Sequence, residues 1–207
     1  MVDFHYPVAL TSSSTKNCRV VASRDELVGL LPKRQLCAQL GAGLGDTSEL
    51  ILKRCSPQSL IVLDPFSLHT TNQFWQERLG ARAETVDHQQ YFRERFATAV
   101  SQGRMQLADG EIFEMIERLP DGGVGLAWIE GDTSYNVVRD HLHALRPKMA
   151  ADGQILVANY IMGDYLTGNV YGVIQATNEF IVDNRWEMTC FALQSSMFCD
   201  AVIRRPK

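Results

Sequence analysis

The sequence lacks the features that mark membrane-spanning, secreted and nucleic-acid-binding proteins. None of its apolar runs approaches the roughly 18 residues that a membrane-spanning helix needs. Its first residues have neither the basic start nor the apolar run of a signal peptide. The net charge of -4 provides no general attraction to nucleic acid or to anionic membranes. We therefore expect a cytoplasmic protein with neither a nucleic-acid partner nor a membrane partner.

The arrangement of the cysteines does not indicate a disulfide framework. The five cysteines include no pair with the spacing Cys-x-x-Cys. An odd number without such a framework is typical of reduced thiols that pack as small apolar side chains. With 45% hydrophobic and 21% charged residues, the chain is ordinary for one soluble domain. We expect a single domain over residues 1–207, with its core at 21–207 and a candidate lid at 1–20.

Strand-like apolar stretches alternate with helical patterns as far as residue 160. Alternation of this kind predicts a parallel sheet with helices on both faces. A helix over 172–182 follows, and then strands over 186–193 and 198–204. The short link between these strands permits only an antiparallel pair. The predicted fold is therefore α/β, a doubly wound sheet of about seven strands, mostly parallel with an antiparallel C-terminal strand.

The most informative segment is a strand over 36–40 that runs into a glycine-rich turn at 41–45 and then into a helix. Glycines allow the backbone to approach a ligand closely at the start of a helix. The next strand, over 60–63, ends at Asp64, whose carboxylate can accept hydrogen bonds from both hydroxyls of a ribose. Together the turn and the acid predict a pocket for an adenosine-containing cofactor.

The spacing of the glycines helps to separate the families of nucleotide-binding proteins. With Gly41, Gly43 and Gly45, the third glycine comes one residue earlier than in the dinucleotide fingerprint Gly-x-Gly-x-x-Gly. The sequence also lacks the Gly-Lys-Ser/Thr of a P-loop. An antiparallel strand pair at the end of the sheet is unusual for a dinucleotide-binding domain. These observations disfavour a nicotinamide-dependent oxidoreductase, which stays as a third alternative.

Seven segments follow one another in an order that is typical of one enzyme family. They are residues 39–48, 63–66, 107–110, 128–135, 145–149, 152–160 and 171–173. On these residues the chain resembles class I S-adenosylmethionine-dependent methyltransferases, and most closely the small bacterial group that contains sugar and natural-product O-methyltransferases. The resemblance implies a Rossmann-like sheet, S-adenosylmethionine as cofactor, and methylation of a small-molecule or sugar hydroxyl.

The resemblance also implies which residues bind the cofactor. The three glycines of the turn would line its methionine and ribose parts, and Gln39 opens their motif where relatives usually carry Glu. Asp64 would bind the ribose hydroxyls. Asp109, with Ala108, would meet the adenine edge, although an Asp before Gly110 is equally typical of a simple turn.

For a hydroxyl acceptor, the protein must hold the oxygen about 3 Å from the methyl carbon and remove its proton. The resemblance places Glu130 and Asp132 at the rim where the methyl group is transferred. Asp132 is the first candidate for the base, and Tyr160 and Tyr135 are the next, as orienting hydroxyls. The tyrosine-rich segment 160–171 is predicted to form part of the acceptor pocket.

The histidines are less persuasive as catalytic groups. His141 and His143 fall on the helix after the fourth strand of the predicted sheet, and we interpret them as surface or helix-packing residues. His69 and His88 lie in or near loops, where an acceptor could dock, but a surface role is the simpler interpretation.

Several positions depart from the usual pattern of the resembled group. This chain has Thr133 where relatives usually carry His, and Ala158 and Asn159 where they carry acids or His. Glu130 and Asn159 can still offer oxygens to Mg²⁺, but Ala158 cannot, so metal use is disfavoured. A degenerate relative that binds S-adenosylmethionine or its demethylated product without transfer stays open, as does a homo-oligomer.

Overall fold

The computed structural model describes residues 6–71 and 73–206, and an eight-stranded sheet lies at their centre. The strands are β1 (Arg19–Val21), β2 (Leu36–Leu40), β3 (Ser59–Asp64), β4 (Met105–Asp109), β5 (Val124–Ile129), β6 (Met149–Val157), β7 (Glu187–Ala192) and β8 (Asp200–Arg204). Their order is β1-β7-β8-β6-β5-β2-β3-β4. Only the pairs that β8 makes with β6 and β7 are antiparallel among these strands, which confirms the predicted topology.

Helices cover both faces of the sheet. They are α1 (Ser12–Thr15), α2 (Arg24–Leu30), α3 (Asp46–Cys55), α4 (Leu68–Thr71), α5 (Gln73–Leu79), a 3-10 helix (Gly80–Glu84), α6 (His88–Arg95), α7 (Ala97–Ser101), α8 (Ile112–Glu117), α9 (Tyr135–Leu145) and α10 (Val173–Asn184). Side chains of α8, α9 and α10 form the apolar core on one face. Side chains of α2, α3, α6 and α7 form the core on the other face, so the predicted doubly wound arrangement is confirmed.

Two elements differ from the sequence prediction. Strand β1 adds an eighth strand, which pairs in parallel with β7 from Arg19 to Val21. Only the last of its three residues is buried, so it has no alternating pattern that a sequence could reveal. Residues 89–101, whose sequence pattern is that of a single helix, belong to two helices that meet at Phe96, where the backbone leaves the helical region. A further helical pattern in the sequence runs from Asn72 to Leu79, and its first residue, Asn72, lies outside the described residues.

Three residues of the candidate lid lie away from the predicted pocket. Thr11, Ser13 and Ser14 lie beside Trp186 and Glu187, at the start of β7. Strands β6 and β7 each pair antiparallel with β8, so β6 and β7 run in the same direction. The start of β7 therefore lies at the edge of the sheet opposite the carboxyl ends of the parallel strands. Residues 1–5 lie outside the described residues.

Across residues 6–71 and 73–206, no helix is both long enough and apolar enough to cross a membrane.

At the glycine turn, the end of β2 is hydrogen-bonded to both neighbouring strands, β3 and β5. Gly41 donates its backbone N–H to Leu63 (3.0 Å), and Glu130 donates its own to Leu40 (2.9 Å). Gly41 has a φ of +88°, and a Cβ at this position would lie 2.3 Å from the carbonyl oxygen of Glu130. The position therefore excludes every side chain, both by conformation and by space. Gly43, at φ +52°, borders open space instead.

Replacing each of these two glycines by alanine should separate the cost of the left-handed backbone conformation from the cost of the steric clash. Gly41→Ala is expected to lower the free energy of unfolding by about 3 kcal/mol or more, because a Cβ must displace backbone atoms. Gly43→Ala should lower the free energy of unfolding by about 1 kcal/mol, because position 43 has the left-handed conformation but no steric clash. Denaturant titration measures both. Equal losses would show that the Glu130 carbonyl does not restrict position 41.

Candidate active site

Asp64 connects the end of β3 to the glycine turn. Its Oδ2 accepts a hydrogen bond from the backbone N–H of Ala42 (2.7 Å), and its Oδ1 accepts one from Phe66 (2.6 Å). The side chain is 13% exposed, and each carboxylate oxygen can accept a further hydrogen bond. The carboxylate is therefore held in place by the backbone and still able to bind a ligand.

Two cavities meet at this acid. One has a volume of about 440 Å³ and lies against Ile112, Phe113 and His141. The other has a volume of about 300 Å³ and lies over the glycine turn, beneath Leu68 and Phe74. Four residues line both cavities: Gly41, Asp64, Glu130 and Gly131. The two cavities thus form one cleft along the carboxyl ends of β2, β3 and β5.

The cleft is strongly acidic. Its described lining residues include six carboxylates and neither Lys nor Arg; the acids are Asp46, Asp64, Glu111, Glu130, Asp132 and Asp140. A cleft lined by one sign of charge concentrates ligands of the opposite sign. This lining suits a cationic ligand, and its described residues offer no cationic side chain to a phosphate.

Glu130, at the end of β5, is held by an ion-pair network. Its Oε2 accepts a hydrogen bond from the Thr47 hydroxyl (2.6 Å), and its Oε1 lies 3.4 Å from Nη1 of Arg24. Arg24 also donates two hydrogen bonds, of 2.7 and 2.8 Å, to the fully buried Asp200. Burial lowers the pKa of Arg24, but its bonds and charge contacts with Asp200 and Glu130 outweigh this and raise it. The guanidinium is therefore already committed to two carboxylates.

Gln39 lies beneath the turn and not in the cleft. It is completely buried, its Nε2 donates to the Gly41 carbonyl (2.8 Å), and its Oε1 accepts from the Ser48 hydroxyl (2.7 Å). The side chain joins β2 to α3, so the structure gives it a supporting place where the resemblance implied contact with the cofactor.

Ala108 and Asp109 do not line either cavity. Asp109 lies opposite Asp64 in the register of β3 and β4, and its carboxylate accepts a hydrogen bond from Gln89 (3.2 Å). The cavity wall begins two residues later, at Glu111, and continues through Ile112 and Phe113. The structure therefore brings the following turn and the start of α8 to the cleft, and not the strand end that the resemblance implied.

The three candidates for catalysis have different surroundings. Asp132 lines the larger cavity, and its Oδ1 accepts a hydrogen bond from the backbone N–H of Ser134 (2.7 Å). Tyr160 is buried, donates its hydroxyl to Asn178, and has its pKa raised to about 12 by burial. Tyr135 donates to Glu179 (2.5 Å), a bond that raises its pKa. Of the three, the structure brings only Asp132 to the cleft.

The two possible metal ligands are also placed differently. Glu130 is occupied by Arg24 and Thr47, as described above. Asn159 has a φ of +56° and lies 3.4 Å, through its backbone N–H, from the carboxylate of Asp200. Among residues 6–71 and 73–206, no group of three or more His, Cys, Asp or Glu side chains is suited to hold a metal ion.

Two histidines lie at the site, although the sequence interpretation favoured a surface or helix-packing role for His141 and a surface role for His88. His141 is 8% exposed and lines the larger cavity, and its Nδ1 has no hydrogen-bond partner. His88 is completely buried next to the glycine turn. His141 shares one helix face with the buried Val138 and Leu145, and this spacing is a signal that could have indicated its burial.

The comparisons with known proteins agree with this geometry. A family model described as a methyltransferase domain matches residues 51–160, which is more than half of the 207 residues. The chain belongs to the methyltransferase domain family. The predicted methyltransferase family is thereby confirmed. The match begins inside α3, so the glycine turn lies before it.

Solved structures share the fold of this methyltransferase at low sequence identity. The mitomycin 7-O-methyltransferase MmcR is 15% identical with a TM-score of 0.60, and the match covers 88% of this chain and 53% of MmcR. The pyocyanin biosynthetic protein PhzM is 16% identical with a TM-score of 0.59, and the match covers 88% and 54%. The chain therefore spans about half the length of these two proteins.

A third structure of similar fold was determined with the demethylated cofactor product. It is the S-adenosylhomocysteine-bound methyltransferase PaMTH1 of Podospora anserina, 12% identical with a TM-score of 0.55; the match covers 84% of this chain and 72% of PaMTH1. No curated protein matches the chain.

The stability of this methyltransferase should fall in mild acid. Burial lowers the pKa of both His88 and His141 below the ordinary 6.5. Below pH 6.5, the unfolded chain therefore binds protons that the folded chain resists, and the folded state loses stability. Between pH 7 and pH 5.5 we expect a loss of about 1 kcal/mol or more in the free energy of unfolding.

Denaturant titration at the two pH values checks this expectation. His141→Gln removes one of the buried groups and should reduce the loss. His143→Gln, on the same helix but at an exposed position, serves as the matched control. A wild-type stability that does not change between pH 7 and pH 5.5 would contradict the assignment of two buried, neutral imidazoles.

Proposed function

We propose that this methyltransferase transfers a methyl group from S-adenosylmethionine to a hydroxyl of a small molecule or sugar. The observation that carries the proposal is the 2.7 Å hydrogen bond between Asp64 and the backbone N–H of Ala42, in the cleft that both residues help to form. This bond holds the Asp64 carboxylate, which can accept hydrogen bonds from two ribose hydroxyls, directly beside the glycine turn. A side chain on the turn would fill the space next to this carboxylate.

The shape and charge of the cleft support this cofactor. A Cβ on Gly43 would meet no atom within 4 Å, so the turn borders open space on the cleft side. The two adjoining cavities offer separate room for an adenosine and for an amino-acid part. The six carboxylates of the lining favour the positive sulfonium and ammonium groups. When bound, S-adenosylmethionine supplies a methyl group that leaves readily from a positively charged sulfur.

The residues of the chain then have to orient the acceptor and take its proton. Asp132 is the proposed base: as the acceptor oxygen forms its bond to the methyl carbon, the O–H bond breaks and the proton passes to the carboxylate. The bond from Ser134 holds Oδ1 in place, so Oδ2 is the oxygen proposed to take the proton. Among the described residues, no hydrogen bond to Oδ2 competes with this role.

The loop over 160–171 is proposed to contact the acceptor. It follows β6 at the carboxyl edge of the sheet and is closed by a bridge between Gly163 and Val170. Tyr165 packs on Phe198 and donates to the Ser196 carbonyl (3.2 Å), which joins this loop to the β7–β8 connection. Leu166 is 75% exposed and gives the loop an apolar surface, although the described residues that line the two cavities include none from 160–171.

A second function is binding of the cofactor or its product without transfer. The placement of the two tyrosines favours it, because Tyr160 and Tyr135 have their hydroxyls bound to Asn178 and Glu179 and are not directed by these bonds into the cleft. Asp132 is then the one remaining candidate of the three. Whether labelled methyl groups reach any compound of a cell extract separates the two functions.

Replacing Asp64 should abolish tight binding of the cofactor product. Asp64→Asn and Asp64→Ala are expected to weaken S-adenosylhomocysteine binding by about 30-fold or more, because two charge-assisted hydrogen bonds to the ribose are lost. Isothermal titration calorimetry measures the dissociation constants. Asp121→Ala removes an exposed acid paired with Lys148 and is the control. Unchanged affinity in the folded Asp64 variants would refute the ribose role.

Replacing Asp132 should separate binding from transfer. Asp132→Asn keeps the size of the side chain and can still accept from Ser134, but it cannot take up a proton. We expect S-adenosylhomocysteine affinity within about twofold of wild type and methyl transfer reduced by about 100-fold. The measurement is incorporation of labelled methyl groups into small molecules of a cell extract. A variant that transfers at the wild-type rate would exclude Asp132 as the base.

A further inference from the structure

The imidazole of His88 lies between the glycine turn and Asp64. It is enclosed by the rings of Phe66, Trp75 and Phe92, whose centroids lie 5.2, 5.5 and 5.7 Å away. Its Nε2 lies 2.6 Å from the carbonyl oxygen of Gly43. A carbonyl oxygen only accepts, so Nε2 carries the proton and donates it.

The other ring nitrogen faces the carboxylate of Asp64. Nδ1 lies 3.8 Å from Oδ1 of Asp64, beyond hydrogen-bond distance, and no atom of the described residues pairs with it. When the proton is on Nε2, the ring is neutral and the lone pair of Nδ1 faces Asp64. An anionic carboxylate cannot form a hydrogen bond to a lone pair, so it does not approach Nδ1 closely. The imidazole thus binds the turn through Nε2 and makes no hydrogen bond to Asp64 through Nδ1.

The surroundings of His88 keep the ring neutral near pH 7. Burial has the largest effect and lowers its pKa. The hydrogen bond to Gly43 and the charges of Asp64 on β3 and Asp87 before α6 act in the opposite direction, whereas His69 on α4 also lowers the pKa. In more acidic solution, a proton that reaches Nδ1 would turn the lone pair into a donor aimed at Asp64.

We propose that His88 is a positioning residue for cofactor binding, whose neutral ring fixes Gly43 and leaves Asp64 to the ribose, and whose protonated ring takes the Asp64 carboxylate and releases the ligand. The inference rests on the proposed function, because it needs Asp64 to bind a ribose. It adds a residue that touches no ligand itself and that acts through two groups that do.

Two substitutions separate the donor from the titrating nitrogen. In His88→Gln, the amide nitrogen can reach the Gly43 carbonyl, but nothing titrates. In His88→Phe, the aromatic ring is kept and the donor is lost. His143→Gln, at an exposed position of α9, is the control. Isothermal titration calorimetry with S-adenosylhomocysteine at pH 8 and pH 5.5 gives the affinities, and circular dichroism at both values confirms that each protein is folded.

The proposal gives a distinct result for each protein. Wild type and His143→Gln should bind S-adenosylhomocysteine more weakly at pH 5.5 than at pH 8. His88→Gln should bind within about threefold of wild type at pH 8 and should lose less at pH 5.5. His88→Phe should bind about tenfold more weakly at pH 8, the size expected for one buried hydrogen bond. Since His141 also lines the cleft, it is the difference between wild type and His88→Gln that reports on His88.

A measurement on the wild type alone guards against variants that fail to fold. If a proton on His88 and the ligand exclude each other, saturating S-adenosylhomocysteine must lower the pKa of His88, by reciprocity of linkage. Nuclear magnetic resonance of the imidazole follows this midpoint with and without the ligand. A midpoint that stays the same would overturn the proposal, as would a His88→Gln protein with the full wild-type loss of affinity at pH 5.5.

Failure of the proposed function gives a different result. If wild type binds no S-adenosylhomocysteine at either pH, then the assignment of the cleft is wrong, and with it the cofactor on which the inference rests. If wild type binds but His88→Phe binds equally well, then the cleft is assigned correctly and only the role of His88 is wrong.

Discussion

The close approach of Gly41 to the carbonyl of Glu130 is the constraint on which the site depends. With no side chain between them, the ends of β2 and β5 lie in van der Waals contact, and the turn passes directly over the end of β3. Asp64 can then reach the backbone of Ala42. A larger separation between the Gly41 backbone and the Glu130 carbonyl would remove this hydrogen bond and open both cavities to solvent. The shape of the cleft therefore depends on the absence of a side chain at position 41.

The turn is held from the side by a single helix. His88 at the start of α6 binds the Gly43 carbonyl, and Arg95 at its end binds the Leu44 carbonyl and forms an ion pair with Asp46. A Cβ on Gly45 would lie 2.7 Å from the ring of Phe96, just beyond the helix. The conformation of the turn is therefore set by contacts with α6 and its C-terminal cap as much as by its own glycines.

The parts of the site that the sequence could predict are those encoded locally. The glycine turn and Asp64 follow apolar strands directly, and both signals lie within a few residues of the feature they predict. His88 and Arg24 could not be assigned in this way, because their partners lie on elements far along the chain. Gln39 is a similar case. The sequence places it at the end of a strand, but its side chain is directed into the core by a hydrogen bond with Ser48 in the following helix. Strand β1 was missed because β7, 171 residues later at Cys190, supplies its pairing with Arg19.

The ion pair between Arg24 and Asp200 spans 176 residues, almost the whole length of the chain. A ribosome releases the turn, Asp64 and Glu130 long before it has made β8. Until that strand is inserted between β6 and β7, Glu130 is the carboxylate beside the guanidinium, and the sheet has a gap beside β6. The nascent chain consequently carries all the cofactor-contacting residues proposed here before the acid that pairs with Arg24 has been made.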